Sequence, residues 1–533
     1  MPRPAPLSRR AFLNHAGMMV GAAATIGTER NPARASTGIV ARARSRYCDL
    51  ALTHATLLDP ATDRVLEDRT VLIRGQRIVT VGRSAETPLG DAAQVLDLHG
   101  GYLLPGLCDM HVHTSYEDID LPLQIANGVT TVREMWGHPW VHDWRERIDA
   151  GTLLGPRYVI GSQIIDGYPT LWNDPTARPS APIIATTPAQ ARAAVRSEAA
   201  AGADFIKIYS RLTARVFTAI ADECARIGIR FGGHCPDQVS VEQAAAAGMW
   251  SFEHLDGLWW STSAREPELR PAVAAITIDP AHAYESWFEQ IGALEWIAAT
   301  SYDPRRADRL FDRLRRARSW QVPTLTLNHR IDIPDGSHDP RMKYVPAGDA
   351  AFWKAFVSGL QATRTPAQQR QHALLFQRRK QLVGAAHQAG VGLLAGTDLG
   401  TTYQFPGFSL HDELAFLVQS GLPPMHALRA ATSDPARALG THASSGAIRA
   451  GYAADLLALT DNPLADISNT RSINATIVRG RLIDAAARRQ LLQDAQQAAE
   501  AHSATATDTA APARRGGCGC TANALTATPR RTQ

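Results

Sequence analysis

Short apolar segments alternate with alanine-rich ones from Pro105 to Gly440, and this repeat constrains the fold more than any other feature. Segments such as GVTTVREMWG, DFIKIYS and GLLAGTDLG have the length and composition of buried strands. Runs such as TPAQARAAVRSEAAAG have the composition of helices. Eight such repeats predict an α/β chain whose residues 105–440 form a closed (β/α)8 barrel of the TIM type. The active site of such a barrel lies at the carboxyl ends of its strands.

Segments of β type flank this repeat on both sides. Residues 46–104 contain VLIRGQRIVTVG, which alternates around Gly75-Gln76 as a hairpin does. A similar pattern returns over residues 441–485, in GYAADLLALT and INATIVRGRLI. We therefore expect one small β-sandwich built from both ends of the chain.

The spacing between the sixth and eighth predicted strands is too long for two ordinary repeats, by about 60 residues. The surplus, about residues 258–375, is rich in Trp, Arg and Pro. Because loops after the strands form the mouth of a barrel, we expect this insertion to cover the active site as a partly helical, irregular segment.

The basic residues at the start of the chain indicate export rather than nucleic-acid binding. Residues 1–35 carry the whole net charge of +4, so the rest of the chain is neutral and has no basic footprint for nucleic acid. The motif SRRAFL, the apolar run AGMMVGAAATIG and Ala33-Arg34-Ala35 predict a cleaved twin-arginine signal peptide. That apolar run is shorter than the roughly 20 residues of a spanning helix. A periplasmic or secreted protein, with no membrane contact beyond export, is expected.

Residues 486–533 are predicted to form a helix and then a disordered tail rich in Ala, Thr and Pro. Two of the six cysteines, Cys518 and Cys520, lie in this tail. They could bind a metal, mark a modification site or have no function. The other four are scattered singly, unlike a disulfide framework.

Histidine and aspartate residues follow several of the predicted strands directly. His111 and His113 share one face of the first strand, since side chains at i and i+2 point the same way. His234, His254 and Asp398 end the fifth, sixth and eighth strands. Imidazole and carboxylate groups on one rim of a barrel predict a metal site. Zinc is the expected metal, with manganese, cobalt and iron left open.

Lys207 lies within the apolar strand DFIKIYS and is one of only four lysines among the 55 basic residues. Burial of an unpaired ammonium in an apolar strand is unfavourable. A neutral amine can take up carbon dioxide as a carbamate, which is an anionic oxygen ligand. We expect Lys207 to be such a ligand; an ion-paired or snorkelling lysine is the alternative.

Eight motifs in order resemble the amidohydrolase superfamily, and within it the group related to imidazolonepropionase and the prolidase-like dipeptidases. They include GLCDMHVHT, GADFIKIYS, GGHCP, FEHLDG, LLAGTD and GAIRAGYAADLLALTDNPL, and the resemblance runs from about residue 48 to 485. Region 258–375 has no counterpart that we can place. Lys207 favours the dipeptidase-like branch, because imidazolonepropionase resembles a one-metal arrangement that lacks the bridging lysine.

The resemblance implies a two-metal hydrolase. It places His111, His113 and Asp398 on one divalent cation, His234 and His254 on the other, and carboxylated Lys207 and a hydroxide between them. Asp398 is expected to take the proton of the attacking hydroxide and pass it to the departing nitrogen.

The expected substrate is a small-molecule amide, either a dipeptide or an N-acyl amino acid. Tyr209, Arg211 and His329 follow predicted strands and are candidate substrate contacts, with Arg211 able to hold a carboxylate. The alternatives are a hydrolase of cyclic amides, a lactonase, or a metal-binding protein without catalysis. The sequence indicates no oligomeric state.

Overall fold

The structure is a computed structural model that describes residues 48–172, 181–335 and 338–505. Within these residues the strands are β1 (Leu50–Asp59), β2 (Arg64–Arg74), β3 (Arg77–Arg83), β4 (Gln94–Asp97), β5 (Tyr102–Pro105), β6 (Leu107–Val112), β7 (Val129–Glu134), β8 (Arg157–Ile160), β9 (Ile165–Asp166), β10 (Ile183–Ile184), β11 (Phe205–Ile208), β12 (Arg230–Gly233), β13 (Ser251–Glu253), β14 (Trp320–Val322), β15 (Gly392–Leu393), β16 (Leu456–Leu459), β17 (Ile473–Val478) and β18 (Arg481–Ile483).

The α-helices of the same residues are α1 (Glu117–Ala126), α2 (Pro139–Asp149), α3 (Pro188–Ala200), α4 (Ala214–Ile227), α5 (Val241–Ala246), α6 (Leu258–Thr262), α7 (Glu266–Ala274), α8 (Ala283–Thr300), α9 (Pro304–Ala317), α10 (Leu325–Asp332), α11 (Ala347–Thr363), α12 (Pro366–Gln388), α13 (Phe408–Gln419), α14 (Pro424–Ala430), α15 (Ser433–Leu439) and α16 (Ala485–Thr505). The predicted signal peptide (1–35), Cys518, Cys520 and the tail after residue 505 lie outside the described residues.

The two β-rich segments join in one eight-stranded sheet. Its order is β18-β17-β16-β5-β1-β2-β3, with β4 paired to β1. The segments meet where β5 and β16 pair in antiparallel register, Leu103 opposite Ala458. Leu52, Val71 and Leu456 are buried in the apolar cluster on this sheet. The first and last parts of the chain therefore share one core.

The middle of the chain forms parallel strands, and the α/β class predicted from the sequence is confirmed. One sheet has the order β6-β7-β8, and the other the order β10-β9-β11-β12-β13-β14-β15. Backbone contacts link the two sheets on both sides. Gly161 bridges Phe205 in parallel fashion, and the amide of Met110 donates to the carbonyl of Ala395 (2.9 Å).

The segment QVPTLTLN, which the sequence predicts as the seventh strand, is extended only at its start. Only Trp320–Val322 is extended, as β14, and α10 begins at Leu325. The buried carboxylate of Glu413 accepts hydrogen bonds from the amides of Leu325 and Thr326 (3.0 and 2.8 Å). These amides are first-turn donors with no partner inside the helix, so a distant acceptor stabilises the helix start.

The insertion over residues 258–375 is largely helical. It comprises α6 to α11, the short strand β14 and the start of α12. Trp259, Leu269, Val273 and Trp287 are buried in the same apolar cluster as the parallel strands. Among the residues that the structure describes, no helix has both the length and the apolar character of a membrane span.

Candidate metal centre

His111 and His113 meet Asp398 at the carboxyl ends of β6 and β15. The Nε2 atom of His111 lies 3.2 Å from Oδ1 of Asp398, and Nε2 of His113 lies 3.4 Å from the same oxygen. The register of β6 against β7 is irregular between Asp109 and Val112. Such irregularities redirect side chains at strand ends. All three side chains are shielded from solvent.

The backbone holds Asp398 in a left-handed conformation, with φ at 58°. The amide of Asp398 donates to the carbonyl of His111 (2.9 Å), and the carbonyl of Asp398 accepts from the hydroxyl of Thr401 (2.7 Å). Gly400 follows at φ 100°, where a Cβ atom would lie 2.5 Å from the carbonyl oxygen of His113. A non-glycine residue in this conformation costs of order 1–3 kcal/mol. The surrounding contacts therefore offset the backbone strain of the turn that points Asp398 at the histidines.

Two further histidines, His234 and His254, complete a cluster of four imidazoles. The ring centroids of His234 and His254 are 4.7 Å apart, and those of His111 and His254 are 4.6 Å apart. Ligand atoms of His111, His254 and Asp398 all lie within 4.8 Å of one another. The side chains contributed by β6, β12 and β13 and by the turn after β15 thus converge on one small volume.

Several polar atoms in this volume are buried without a hydrogen-bond partner. They are Nε2 of His111, His113 and His254, both carboxylate oxygens of Asp398, and Nζ of Lys207. Buried polar atoms are rarely left unpaired, because each unmet group costs about 1–3 kcal/mol. Imidazole nitrogens and carboxylate oxygens are ligands for zinc and similar cations. The donor set therefore fits divalent metal ions.

Lys207 extends from β11 and is fully buried. A Cβ atom on Gly233 of β12 would lie 3.1 Å from its Cδ atom and 2.2 Å from the carbonyl oxygen of Ile208. The absence of a side chain at Gly233 thus leaves room for the lysine stem beside His234.

Burial keeps imidazoles of the cluster in their neutral form. Desolvation lowers the pKa of His113 to about 4 and that of His254 well below its ordinary value. Neutral imidazole is the form that binds a metal ion, so both side chains are ready to ligate at neutral pH.

The Nδ1 atoms of three of the histidines bind polar groups behind the cluster. His111 pairs with Glu253 (2.8 Å), His254 with the hydroxyl of Thr324 (2.8 Å), and His234 with Asp256 (3.0 Å). This arrangement leaves Nε2 of His111 and of His254 available to the cluster, as in metal sites where the other ring nitrogen is held by a partner.

Sequence reasoning missed these partners, and it also missed Arg133, which binds Glu253 (2.8 Å). Arg133 and Glu253 could have been recognised as Lys207 was, because each is a charged residue inside an apolar strand. Thr324 and Asp256 carry no such signal, because hydroxyl and carboxyl groups are common in loops.

The three predicted substrate contacts lie in different surroundings. The Tyr209 ring is buried 3.9 Å from the His234 ring and 4.8 Å from the Trp172 ring, between centroids. The His329 ring lies 5.0 Å from the rings of both Phe376 and Phe416, so it packs between helices α12 and α13. Tyr209 is thus brought to the cluster, whereas the contacts of His329 are those of helix packing.

Arg211 is engaged in a buried ion pair. Its Nη1 atom lies 2.6 Å from Oδ2 of Asp237, and its Nη2 atom donates to the carbonyl of Ile276 (3.1 Å). The indole of Trp287 donates to the same Asp237 oxygen (3.0 Å). Arg211 and Asp237 therefore fasten the insertion, at Ile276 and Trp287, to the rim of the parallel strands.

Exposure to solvent differs among the residues of the cluster. His111, Lys207 and Asp398 have no exposed surface, while His254 is 7% exposed and the side chain of Asp256 is 22% exposed. These exposures indicate that a substrate approaches the cluster from the side of His254 and Asp256, next to α6.

Comparison with known proteins matches parts of this chain to a family model and to curated proteins. The model of the amidohydrolase family matches residues 368–483, which include Asp398. Imidazolonepropionase from Pseudomonas fluorescens is 42% identical over 52 residues, 10% of this chain and 13% of the relative. The chain spans well under two thirds of the length of the curated relatives it matches.

Solved structures extend the similarity to most of the fold. The bottromycin amidohydrolase AH has a TM-score of 0.65 at 23% identity, over 84% of this chain and 90% of its own. A Xaa-Pro dipeptidase with methionine bound in its active site has a TM-score of 0.59 at 20% identity, over 82% of this chain and 99% of its own. At these identities the likeness concerns the fold.

Proposed function

We propose that this chain is a member of the amidohydrolase superfamily, whose family model matches residues 368–483, and that it is a metal-dependent hydrolase that cleaves a carbon–nitrogen bond in a small amide or peptide. The observation that carries the proposal is the convergence of His111, His113, His254 and Asp398 with their ligand atoms buried and unpaired. A purely structural cluster would meet these hydrogen-bonding needs within the protein.

We infer that the two parallel sheets are parts of one (β/α)8 barrel, with the sheet of the chain ends belonging to a small β-sandwich. The Gly161–Phe205 bridge and the bond from Met110 to Ala395 support closure on both sides. In such a barrel the metal ligands lie at the carboxyl ends of the strands, where catalytic groups are found.

We assign two divalent cations, zinc first among them, to His111, His113, Lys207, His234, His254 and Asp398. When bound, such cations would polarise the scissile carbonyl and make water a stronger acid. Lys207 would hold its place as a carbamate, since its unpaired Nζ atom lies in a dry interior where a free ammonium is unfavourable.

Asp398 is the residue that moves the proton. Its two oxygens are free of hydrogen-bond partners, and Oδ1 lies within 3.4 Å of two histidines. It would accept a proton from the attacking water and deliver it to the departing nitrogen, which leaves poorly unless it is protonated. Tyr209, whose ring lies 3.9 Å from that of His234 between centroids, is placed to contact the substrate beside the cluster.

The proposed substrate is a dipeptide or an N-acyl amino acid. The fold shared with the Xaa-Pro dipeptidase and with the bottromycin amidohydrolase supports a linear amide. The local match to imidazolonepropionase favours a cyclic amide as the second candidate.

The decisive experiment combines metal analysis with substrate screening of one purified sample. Full-chain protein loaded with zinc is expected to hold about two ions per chain and to release amino acids from dipeptides or N-acyl amino acids. The variant D398N should lose turnover, whereas H142N, which changes a histidine of α2 outside the cluster, should keep it. Turnover of lactones or cyclic amides without any linear amide would overturn the leading proposal.

The proposed cellular site is the periplasm or the exterior, through the twin-arginine segment Ser8–Leu13. A fusion of residues 1–40 to a reporter enzyme should be exported only by cells with an active twin-arginine pathway. Replacement of Arg9 and Arg10 by lysine should abolish that export. Export of the doubly substituted fusion would contradict this assignment.

A further inference from the structure

Arg133, Ser251 and Glu253 form a fully buried polar group directly behind His111. The Nη2 atom of Arg133 donates to both carboxylate oxygens of Glu253 (2.9 and 2.8 Å). The hydroxyl of Ser251 donates to Oε1 of the same carboxylate (2.8 Å), and Nδ1 of His111 lies 2.8 Å from its Oε2. None of these side chains reaches solvent.

Arg133 is itself fixed from several directions. Its Nε atom donates to the carbonyl of Met110 (2.6 Å), the residue before His111. Its guanidinium lies over the rings of Phe205 and Trp250, 5.6 and 5.2 Å from their centroids. Glu253 in turn is the residue before His254. The ion pair is therefore tied to the backbone at two of the segments that carry the histidines.

A buried ion pair is costly to keep for stability alone. Desolvation of both charges offsets most of their attraction, and well-packed apolar side chains in such a place are often as stable or more so. The retention of a charged carboxylate here calls for a task that an apolar residue cannot perform. Its contact with a histidine of the metal centre indicates that task.

Hydrogen-bond chemistry fixes the state of His111. The carboxylate of Glu253 can only accept, so the proton of a neutral His111 must be on Nδ1. The lone pair of Nε2 then faces Oδ1 of Asp398 at 3.2 Å. Two acceptors at this distance repel each other unless a cation lies between them, and this is where the metal ligands converge.

We propose that Glu253, held by Arg133 and Ser251, is a positioning residue that fixes the tautomer and orientation of His111 for metal binding. This inference rests on the proposed metal-dependent function of the site. Partners of this kind change metal affinity or activity by about 10–100-fold when they are removed.

The variant E253Q tests the proposal with nearly unchanged volume. Arg133 and Ser251 present donors, so the amide oxygen of the substituted side chain would turn toward them and its NH₂ group toward His111. The proton of His111 is then expected on Nε2, where it blocks the ligand position. Zinc affinity, measured by competition with a chelator on the full chain, should fall by about tenfold or more.

Two further variants separate positioning from stability. The double variant R133M/E253M removes both charges and leaves no acceptor for Nδ1 of His111, and it should recover thermal stability relative to R133M while zinc affinity stays low. Recovery of wild-type zinc affinity in the double variant would overturn the proposal. The matched control E223Q alters a buried carboxylate of α4 that pairs with Arg196 and Arg226. It should change stability without changing zinc affinity.

A readout without metal completes the test. Nitrogen-15 NMR of histidine in the metal-free protein should show His111 protonated at Nδ1 in wild type and at Nε2 in E253Q. Identical tautomers in the two proteins would refute the positioning role even if the chain proved to hydrolyse nothing. An absence of hydrolysis with the tautomers as expected would instead count against the proposed function alone.

Discussion

Lys207 and Arg133 are two cations that the fold places inside its parallel strands, and the structure treats them differently. Arg133 is surrounded by acceptors and by Glu253, whereas Nζ of Lys207 has no hydrogen-bond partner. An unpaired buried ammonium is unstable, so Lys207 is the cation that requires chemical modification or a bound group. This contrast could not be read from the sequence, where both appear as one charged residue in an apolar strand.

Replacement of Lys207 by methionine should remove a ligand while keeping the packing of the stem. We expect the metal content of K207M to fall and turnover to drop by at least about 100-fold, since losing a ligand should cost more than losing a partner behind it. Metal analysis and a ¹³C NMR search for a carbamate in bicarbonate-treated wild type measure this. The control K354M changes an exposed lysine of α11. A fully metallated, active K207M protein would contradict the assignment.

At the scale of elements, the sequence predicted where strands end better than what surrounds those ends. His111, His113, His234, His254 and Asp398 were recognisable because each follows an apolar run. The ion pair of Arg211 was not, because Asp237 lies 26 residues further along the chain, and Trp287, which donates to Asp237, lies another 50 residues on. Likewise, α10 takes the place of the second half of the predicted seventh strand, where the first amides of the helix bind a carboxylate far along the chain.

The Arg211–Asp237 pair should stabilise the insertion against the rim. Loss of one partner of a buried pair typically costs about 3–5 kcal/mol, so D237N is expected to be strongly destabilised. W287F removes a single hydrogen bond and should cost about 1 kcal/mol. Chemical denaturation gives the free energies of unfolding, and limited proteolysis should cut residues 276–287 faster in both variants. E289Q, an exposed change on the same helix α8, should have little effect; equal stability of D237N and E289Q would disprove this role.

His329 should make stability depend on pH. Burial lowers its pKa from 6.5 to about 4, with Arg330 adding to the effect. Between these values the unfolded chain binds more protons than the folded one, so stability falls as pH falls from about 6.5 to 4.

The variant H329L should remove this dependence. At pH 5 it is expected to gain at most about 2 kcal/mol over wild type, and less if solvent screens the partly exposed ring. At pH 8 the titration of His329 should contribute no difference in stability between H329L and wild type. Thermal or denaturant unfolding at both pH values measures the effect. An unchanged KM would agree with helix packing, whereas a large rise in KM would restore His329 as a substrate contact.

For the whole molecule, the sheet of both chain ends and the parallel strands are expected to unfold together. Gly106 alone separates β5 from β6, so the strand that joins the two ends continues directly into the strand that carries His111. The sequence indicated both β-rich segments, but the pairing of β5 with β16 depends on residues that are distant in the chain.

The distribution of tryptophan allows this cooperativity to be measured. All 11 tryptophans lie between residues 136 and 353, outside the eight-stranded sheet. L456A, which creates a cavity in that sheet, should cost about 2–5 kcal/mol and shift the transition seen by tryptophan fluorescence. V95A, at an exposed position of β4, should shift it by no more than about 0.5 kcal/mol. A fluorescence transition unmoved by L456A would show that the two parts unfold independently.

The pairing of β5 with β16 also sets the order of events during synthesis. On the ribosome, Leu103 emerges more than three hundred residues before its partner Ala458. At ordinary elongation rates of about 5–20 residues per second, the nascent β5 edge stays open for roughly 20 to 70 seconds. An open edge is a template for unwanted pairing. A cell making this protein must therefore shelter the early strands until the last ones arrive.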